Sequence, residues 1–331
     1  IDVSKKVTQA LILSPTRELC MQIAGDLADY SKYKKGLNVL AVYGGSSIDT
    51  QIRGLKRGAH VVVATPGRML DLIRRKQTDF THITTLVLDE ADEMLNMGFR
   101  DELDAILAET PTTKKTCLFS ATMPREISGL AHKYMNNPEE ITVGNKNSGA
   151  DDVSHVYYMV STKDRYKALK RIADMNPDIN GIVFCRTRSN TQEVAELLIQ
   201  DGYSADSLHG DLSQAQRDYV MQKFRRKNLR MLVATDVAAR GIDVSDLTHI
   251  INYELPDDPE TYIHRSGRTG RAGKKGISIA LVDPRKRHSI RQIENKLGKQ
   301  FERVSIPTGK QVCERQLFHL IDRVNKVEIN E

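Results

Sequence analysis

Short apolar runs punctuate the chain. In its first half they are ALILS (10–14), NVLAVYG (38–44), HVVVAT (60–65), TLVLD (85–89) and TCLFSAT (116–122). They are nearly all apolar rather than alternating, as strands are when helices cover both faces of a sheet. Amphipathic stretches such as TRELCMQIAGDLADYSKY separate them. Strand–helix alternation of this kind predicts an α/β domain with a parallel sheet.

The pattern lapses at GNKNSGADD (144–152), a polar segment with two glycines and no apolar periodicity. It reads as an interdomain linker. Alternation then resumes with HVYYMV (155–160), GIVFCRT (181–187), RMLVAT (230–235), HIINYEL (249–255) and GISIALV (276–282). The expected organisation is a first α/β domain over 1–146, a linker at 147–152 and a second domain of similar build over 153–305. The tail 306–331 reads as one further helix that packs on the second domain or opens an appended one.

Composition agrees with two domains. The 331 residues are 40% hydrophobic and 28% charged, an ordinary balance for a globular protein. No run of 18 apolar residues offers a membrane span, and no secretory signal opens the chain. Cys20, Cys117, Cys185 and Cys313 lie far apart, which disfavours zinc and dithiol chemistry. Reduced thiols in a cytoplasmic protein are the expectation. Cys117 and Cys185 sit in apolar runs and read as core residues. The net charge is +6. Residues 1–147 carry 19 basic and 18 acidic side chains, residues 148–331 carry 30 and 25, so the surplus lies in the second half. A modest excess suits a polyanionic partner, or simply a well-solvated surface.

Two segments carry most of the chemistry. The run LVLD ends in Asp89-Glu90-Ala91-Asp92. Ligands of parallel sheets bind beyond the carboxyl ends of the strands. Asp89 is therefore placed to hold Mg²⁺, a hard cation suited to nucleotide phosphates, and Glu90 to orient and deprotonate a water. The same residues could simply be the acidic first turn of a helix. The second segment is His264-Arg265-Ser266-Gly267-Arg268-Thr269-Gly270-Arg271. Helical spacing and glycines let several guanidinium groups converge on one anion, and arginine suits bidentate phosphate contacts. A generic basic patch is the plainer alternative.

Together these segments resemble the DEAD-box helicases of superfamily two. Further blocks follow in family order: Pro15-Thr16-Arg17-Glu18-Leu19 (motif Ia), Gly44-Gly45, Thr65-Pro66-Gly67-Arg68 (motif Ib) and Ser120-Ala121-Thr122 (motif III). Then come Val183-Phe184-Cys185-Arg186-Thr187 (motif IV), Gln214-Ala215-Gln216-Arg217 and Ala234-Thr235-Asp236 through Gly241-Ile242-Asp243 (motif V). The resemblance covers residues from about 10 to 305. It implies two tandem RecA-like α/β domains with parallel sheets. It also implies ATP and Mg²⁺ as cofactors, and coupling of ATP hydrolysis to local unwinding of RNA and remodelling of RNA–protein complexes.

The resemblance assigns roles by position. Asp89 and Glu90 would serve the metal and the water. Ser120 and Thr122 would couple the nucleotide site to lobe closure. Arg268 and Arg271 would be arginine fingers, and His264 would help link the lobes. Asp243 would contact the ribose of ATP, with Asp92 and Gly241 also on the nucleotide. Pro15, Thr16, Arg17, Gly45, Thr65, Gly67 and Arg68 would line an RNA track on the first lobe. Arg186, Thr187, Gly210, Arg217, Thr235 and Gly241 would line it on the second. Phosphate and 2′-hydroxyl contacts of that kind give grip with little sequence specificity.

The departure is the phosphate loop: G-x-x-x-x-G-K-[ST] occurs nowhere in the sequence. The family order puts it just before the segment that opens with Ile1, so the first lobe is expected to be truncated at its N-terminus. The 331 residues alone are expected not to hydrolyse ATP. An RNA-binding module without ATPase activity, and an ATP-dependent DNA translocase, are the competing readings. Ribosomal or RNA-decay proteins are compatible partners; no membrane is expected.

Overall fold

The computed structural model describes residues 1–142, 152–239, 244, 247–271 and 273–325, and the chain divides into two compact units. In the first, the strands are β1 (Ala10–Leu13), β2 (Val39–Val42), β3 (Val61–Ala64), β4 (Thr85–Leu88) and β5 (Lys115–Leu118). Around them lie α1 (Arg17–Tyr30), α2 (Ile48–Lys56), α3 (Pro66–Arg74), α4 (Ala91–Asn96), α5 (Arg100–Ala108) and α6 (Arg125–Tyr134). The sheet order is β2-β3-β1-β4-β5, with every pairing parallel. Parallel neighbours need a crossover, and the intervening helices supply it. The innermost strands are the most apolar. β3, Val-Val-Val-Ala, is buried along its whole length, and Leu11, Leu13, Leu86 and Leu88 join Met69, Leu72, Met94 and Ile106 in one core.

The second unit holds β6 (Val153–Met159), β7 (Gly181–Phe184), β8 (Ala205–Leu208), β9 (Met231–Ala234), β10 (His249–Asn252), β11 (Gly276–Val282) and β12 (Glu302–Val304). Its helices are α7 (Arg165–Met175), α8 (Arg188–Gln200), α9 (Gln214–Arg225), α10 (Asp236–Ala239), α11 (Pro259–Ser266), α12 (Arg287–Leu297) and α13 (Gly309–Asn325). The order is β12-β6-β11-β10-β7-β9-β8, again parallel throughout. This is the α/β architecture of two parallel sheets that the apolar runs predict.

Three expectations need correction or placing. β8 and β12 are absent from the predicted strands. Both lie at sheet edges, where one side needs no apolar cover, and Asp206, Ser207, Glu302 and Arg303 break the apolar signal. Cys117 is exposed, not core: β5 is an edge strand whose residues alternate between exposed and half-buried. Cys185 and Cys20 are buried, and burial pushes both thiols up, Cys20 to about 12. Most of the predicted linker lies outside the described residues, as do 326–331 of the tail. Helix α13 packs against α7, where Gln316 Nε2 donates to the Asp174 carbonyl at 2.5 Å.

Candidate active site

All five strands of the first unit point the same way, so their carboxyl ends share one edge. The loops leaving that edge, and the first turns of the helices that follow them, carry every residue singled out in this half. The predicted runs carry on through these loops, but the strands stop first, at Leu13, Val42, Ala64, Leu88 and Leu118. The backbone beyond those points is released for chemistry.

Asp89 leaves β4 with its amide bonded to the Leu13 carbonyl at 2.9 Å, and its carboxylate accepts the Glu90 amide at 3.1 Å. Burial raises its pKa above the ordinary carboxylate value; the Glu90 amide pulls it back and the charge of Asp92 adds to the rise. Glu90 follows at φ 49°, ψ 52°, in the left-handed region. A residue other than glycine held there costs about 1–3 kcal/mol, which surrounding bonds must offset. Those bonds are visible. The Ala91 amide donates to the Phe119 carbonyl at 3.0 Å. Asp92, 2% exposed, accepts the Thr122 amide at 2.8 Å and the Thr122 hydroxyl at 2.7 Å on one oxygen, and the Glu93 amide at 3.0 Å on the other. Ser120 Oγ donates to the Thr122 carbonyl at 2.5 Å. The loops after β4 and β5 are thereby locked together, and the Asp92 carboxylate is turned inward to that lock.

Asp89 and Glu90 fit a magnesium-bound nucleotide. Among the described residues no group of three or more His, Cys, Asp or Glu is placed to hold a metal. A cation bound here would therefore take few protein ligands and complete its shell with phosphate oxygens and water, the habit of Mg²⁺. The raised Asp89 pKa marks a carboxylate whose charge the protein leaves undercompensated.

The remaining first-unit residues form a second cluster at the same edge. Thr16 caps α1, its hydroxyl accepting the Leu19 amide at 3.3 Å, and Pro15 beside it is buried. Arg17 reaches from the first turn of α1 to the loop after β2. Gly45, at φ 82°, has no room for a Cβ because the Arg17 guanidinium occupies it. Thr65 precedes Pro66 at the start of α3, and Gly67 is exposed on its first turn. Arg68 donates to the Ser46 carbonyl at 3.2 Å and to Gln51 Oε1 at 3.0 Å. Gln51 in turn donates to the Tyr43 carbonyl at 2.9 Å and to Ser46 Oγ at 2.6 Å. Two arginines, the glycine-bearing loop after β2 and the first turn of α3 thus make a polar, anion-suited shelf.

In the second unit, Arg186, Thr187, Gly210 and Thr235 again follow the carboxyl ends of strands β7, β8 and β9. Thr187 caps α8 by accepting the Asn190 amide at 3.2 Å. Arg186 pairs with Asp257. Gly210 lies against Arg188, which bonds Asp211 at 2.6 Å. Arg217 projects from the first turn of α9, a helix started by the Ser213–Gln216 capping box. Gly241 and Asp243 lie outside the described residues.

The arginine-rich segment divides by helical phase. Tyr262, Arg265 and Ser266, at i, i+3 and i+4 of α11, are all buried, as is Thr269 beyond its end. Arg265 therefore does not join the arginines expected to converge on an anion. Its guanidinium forks onto Asp236, at 2.5 and 2.7 Å, donates to Asn252 Oδ1 at 2.8 Å and the Glu254 carbonyl at 3.0 Å, and lies over the Phe184 ring. Arg268 and Arg271 come after α11 has ended at Ser266. Arg268 is half-buried, and Arg271 is exposed with its Nε on the Gly267 carbonyl at 2.9 Å. His264 is half-buried on the last turn of α11. Asp236 and Arg265 form the tie that residue typing missed. The i, i+3, i+4 phase running from Tyr262 is the signal that finds it.

Residues 1–130 match the DEAD/DEAH box helicase family, and residues 164–273 match the helicase conserved C-terminal domain. The chain is 42% identical to the DEAD-box ATP-dependent RNA helicase CshA of Bacillus cereus over all 331 residues, and 43% identical to that of Geobacillus kaustophilus over 327. It spans 63% of the length of the first and 70% of the second. Among solved structures, S. cerevisiae Dbp5 L327V bound to RNA and ADP BeF3 superposes with a TM-score of 0.85 at 30% identity, covering 98% of this chain and 83% of that one.

Proposed function

The chain belongs to the DEAD-box helicase family, and from that premise we propose that the protein is an ATP-dependent RNA helicase acting in the cytoplasm. In this reading Glu90 takes the proton of a water as that water attacks the γ-phosphorus of ATP, and the bond to the departing ADP breaks. Bound Mg²⁺ would supply charge neutralisation for the phosphates, with Asp89 holding it. Asp92 and Thr122 position the two loops. Arg268 and Arg271 stabilise the charge that develops on the transferred phosphoryl group. Arg17, Arg68, Arg186 and Arg217 grip RNA phosphates; Arg186 gives up Asp257 to do so. Backbone grip of this kind favours RNA remodelling without base reading.

The observation that carries the proposal is Asp89 and Glu90 at the carboxyl end of β4, fixed by the Asp92–Thr122 bonds. The relatives named as RNA helicases support it. No helix of the described residues is long and apolar enough to cross a membrane. The test is ATP turnover by the complete protein with Mg²⁺ and single-stranded RNA or DNA. Stimulation by RNA and not by DNA is expected; equal stimulation by both, or by neither, would overturn the reading.

A further inference from the structure

Building on the reading of the chain as an RNA-remodelling enzyme, we infer that a basic cleft at the opposite end of the second sheet binds single-stranded RNA outside the motif-lined track. The cleft, of about 460 Å³, lies between α13 and the loops that enter β7 and β9. Asp178 and Arg230 come from those loops; Arg315, His319, Asp322 and Arg323 come from α13. Strands β7 and β9 are parallel and begin at Gly181 and Met231. Asp178 and Arg230 therefore mark the amino ends of the strands, whereas Arg186, Thr187 and Thr235 follow the carboxyl ends. A four-residue strand separates the two ends by about 13 Å before any loop is counted.

The cleft is seated. Arg315 Nε donates to the Met175 carbonyl at 3.4 Å, Gln316 to the Asp174 carbonyl at 2.5 Å, and Arg171 to the Pro307 carbonyl at 3.3 Å. His319 faces Asp178 at 3.9 Å. Among the described residues, neither the Arg230 nor the Arg323 side chain has a protein partner, and both are exposed. Arg225, the last residue of α9, and Arg226, its C-cap, are also exposed and lead into the turn before Arg230.

The mixture of groups selects the ligand. Guanidinium forks take phosphate oxygens. Asp178 and Asp322 can accept hydrogen bonds from base amino groups and from 2′-hydroxyls, as carboxylates do from cytosine. Phe318 does not line the cleft but stands one helical turn from both Arg315 and Asp322 on α13, is 63% exposed and offers a face for base stacking at its rim. An acidic peptide would satisfy the arginines but would bring neither base amino groups for the two carboxylates nor bases to stack on Phe318. RNA satisfies all three features.

The test measures binding of the full chain, without nucleotide, to RNAs of about 8 and about 30 nucleotides across a salt series. Arg230→Gln with Arg323→Gln should lower the salt slope for the long RNA by about 1.4, two single-strand phosphate contacts, and leave the short RNA unchanged. Phe318→Ala should weaken the long RNA at least about fivefold. Arg315 is kept because it helps seat α13. Long-RNA affinity and slope equal to the parent would overturn the inference. Arg17→Ala and Arg217→Ala separate the two readings: if they weaken RNA while the cleft variants do not, only the cleft assignment falls. If no RNA is bound at all, the helicase reading falls with it. Polyglutamate binding that the cleft variants abolish, with RNA untouched, would give the cleft to an acidic protein segment and overturn the RNA assignment.

Discussion

Each unit locks two signature loops with one buried tie, but the ties differ in charge. In the first unit, Asp92 accepts two bonds from Thr122, an amide and a hydroxyl. These donors are neutral, and the charge of Asp92 contributes to the raised pKa of Asp89. In the second unit, Asp236 is met by the guanidinium of Arg265, which neutralises it. The loop after β4 carries the acidic side chains of Asp89, Glu90 and Asp92, suited to a cation, beside the Arg17 and Arg68 shelf on the same edge. The second tie is self-contained, and Arg268 and Arg271 lie outside it, beyond the end of α11. Both units are built of parallel strands, yet the partner chosen for one carboxylate sets the charge of each tie.

If this division is right, the chemical residues and the tie residues should fail differently. Glu90→Gln keeps the shape but cannot accept a proton as a carboxylate does. It should slow ATP hydrolysis by the complete protein by about 10⁴-fold, the upper range for a general base, and spare ATP binding. Normal turnover in single-turnover kinetics would remove Glu90 from the mechanism. Arg268→Ala combined with Arg271→Ala should cost about 10³-fold in turnover, with RNA binding in the absence of nucleotide unchanged. An unaltered ATPase rate in that double variant would sink their assignment.

Breaking a tie should instead be read as stability. Arg265→Ala leaves Asp236 and the Asn252 side-chain oxygen unmatched. Loss of one partner of a buried pair costs about 3–5 kcal/mol, and the partial exposure of Asp236 puts the expectation near the low end of that range. Thr122→Val removes only the hydroxyl donor to Asp92 and keeps the amide, so about 1.5–3 kcal/mol is expected. Denaturant unfolding measures both. A larger loss from Thr122→Val than from Arg265→Ala would reverse the ranking of the ties.

Much of this was legible in the sequence, for identifiable reasons. The central strands are buried on both faces and read as apolar runs. The edge strands β8 and β12 need no such composition and left no trace. Asp89, Glu90, Arg268 and Arg271 stand out because their residue types carry chemistry at the ends of strands or helices. Asp236 and Arg265 were quoted within motifs, yet residue type alone gave no hint that Arg265 turns inward. That depends on the rotational phase of α11, set by Tyr262 packing into the core. The Asp92–Thr122 bond joins residues 30 apart, a pairing that follows only once β4 and β5 are neighbours.

The smallest effect tests the electrostatic half of the comparison. Asp89 has a raised folded-state pKa, chiefly through burial. Between its unfolded value, near about 3.9, and that raised value, the folded chain holds more protons than the unfolded one, so stability falls as pH rises through this window. Above it, at neutral pH, the full cost of the buried charge is present. An asparagine in its place would carry no charge but would keep an oxygen for the Glu90 amide. Asp89→Asn should therefore give a small rise in Tm at about pH 7 in the absence of divalent cations, and the rise should vanish below about pH 4, where the parent carboxyl is protonated in both states. Added Mg²⁺ and ATP should close the gap from the other side, by stabilising the parent more than the variant. A lower Tm for Asp89→Asn at neutral pH would mean that the Asp89 charge is already compensated within the first unit. The contrast between a cation-seeking loop and a self-neutralised tie would then fail.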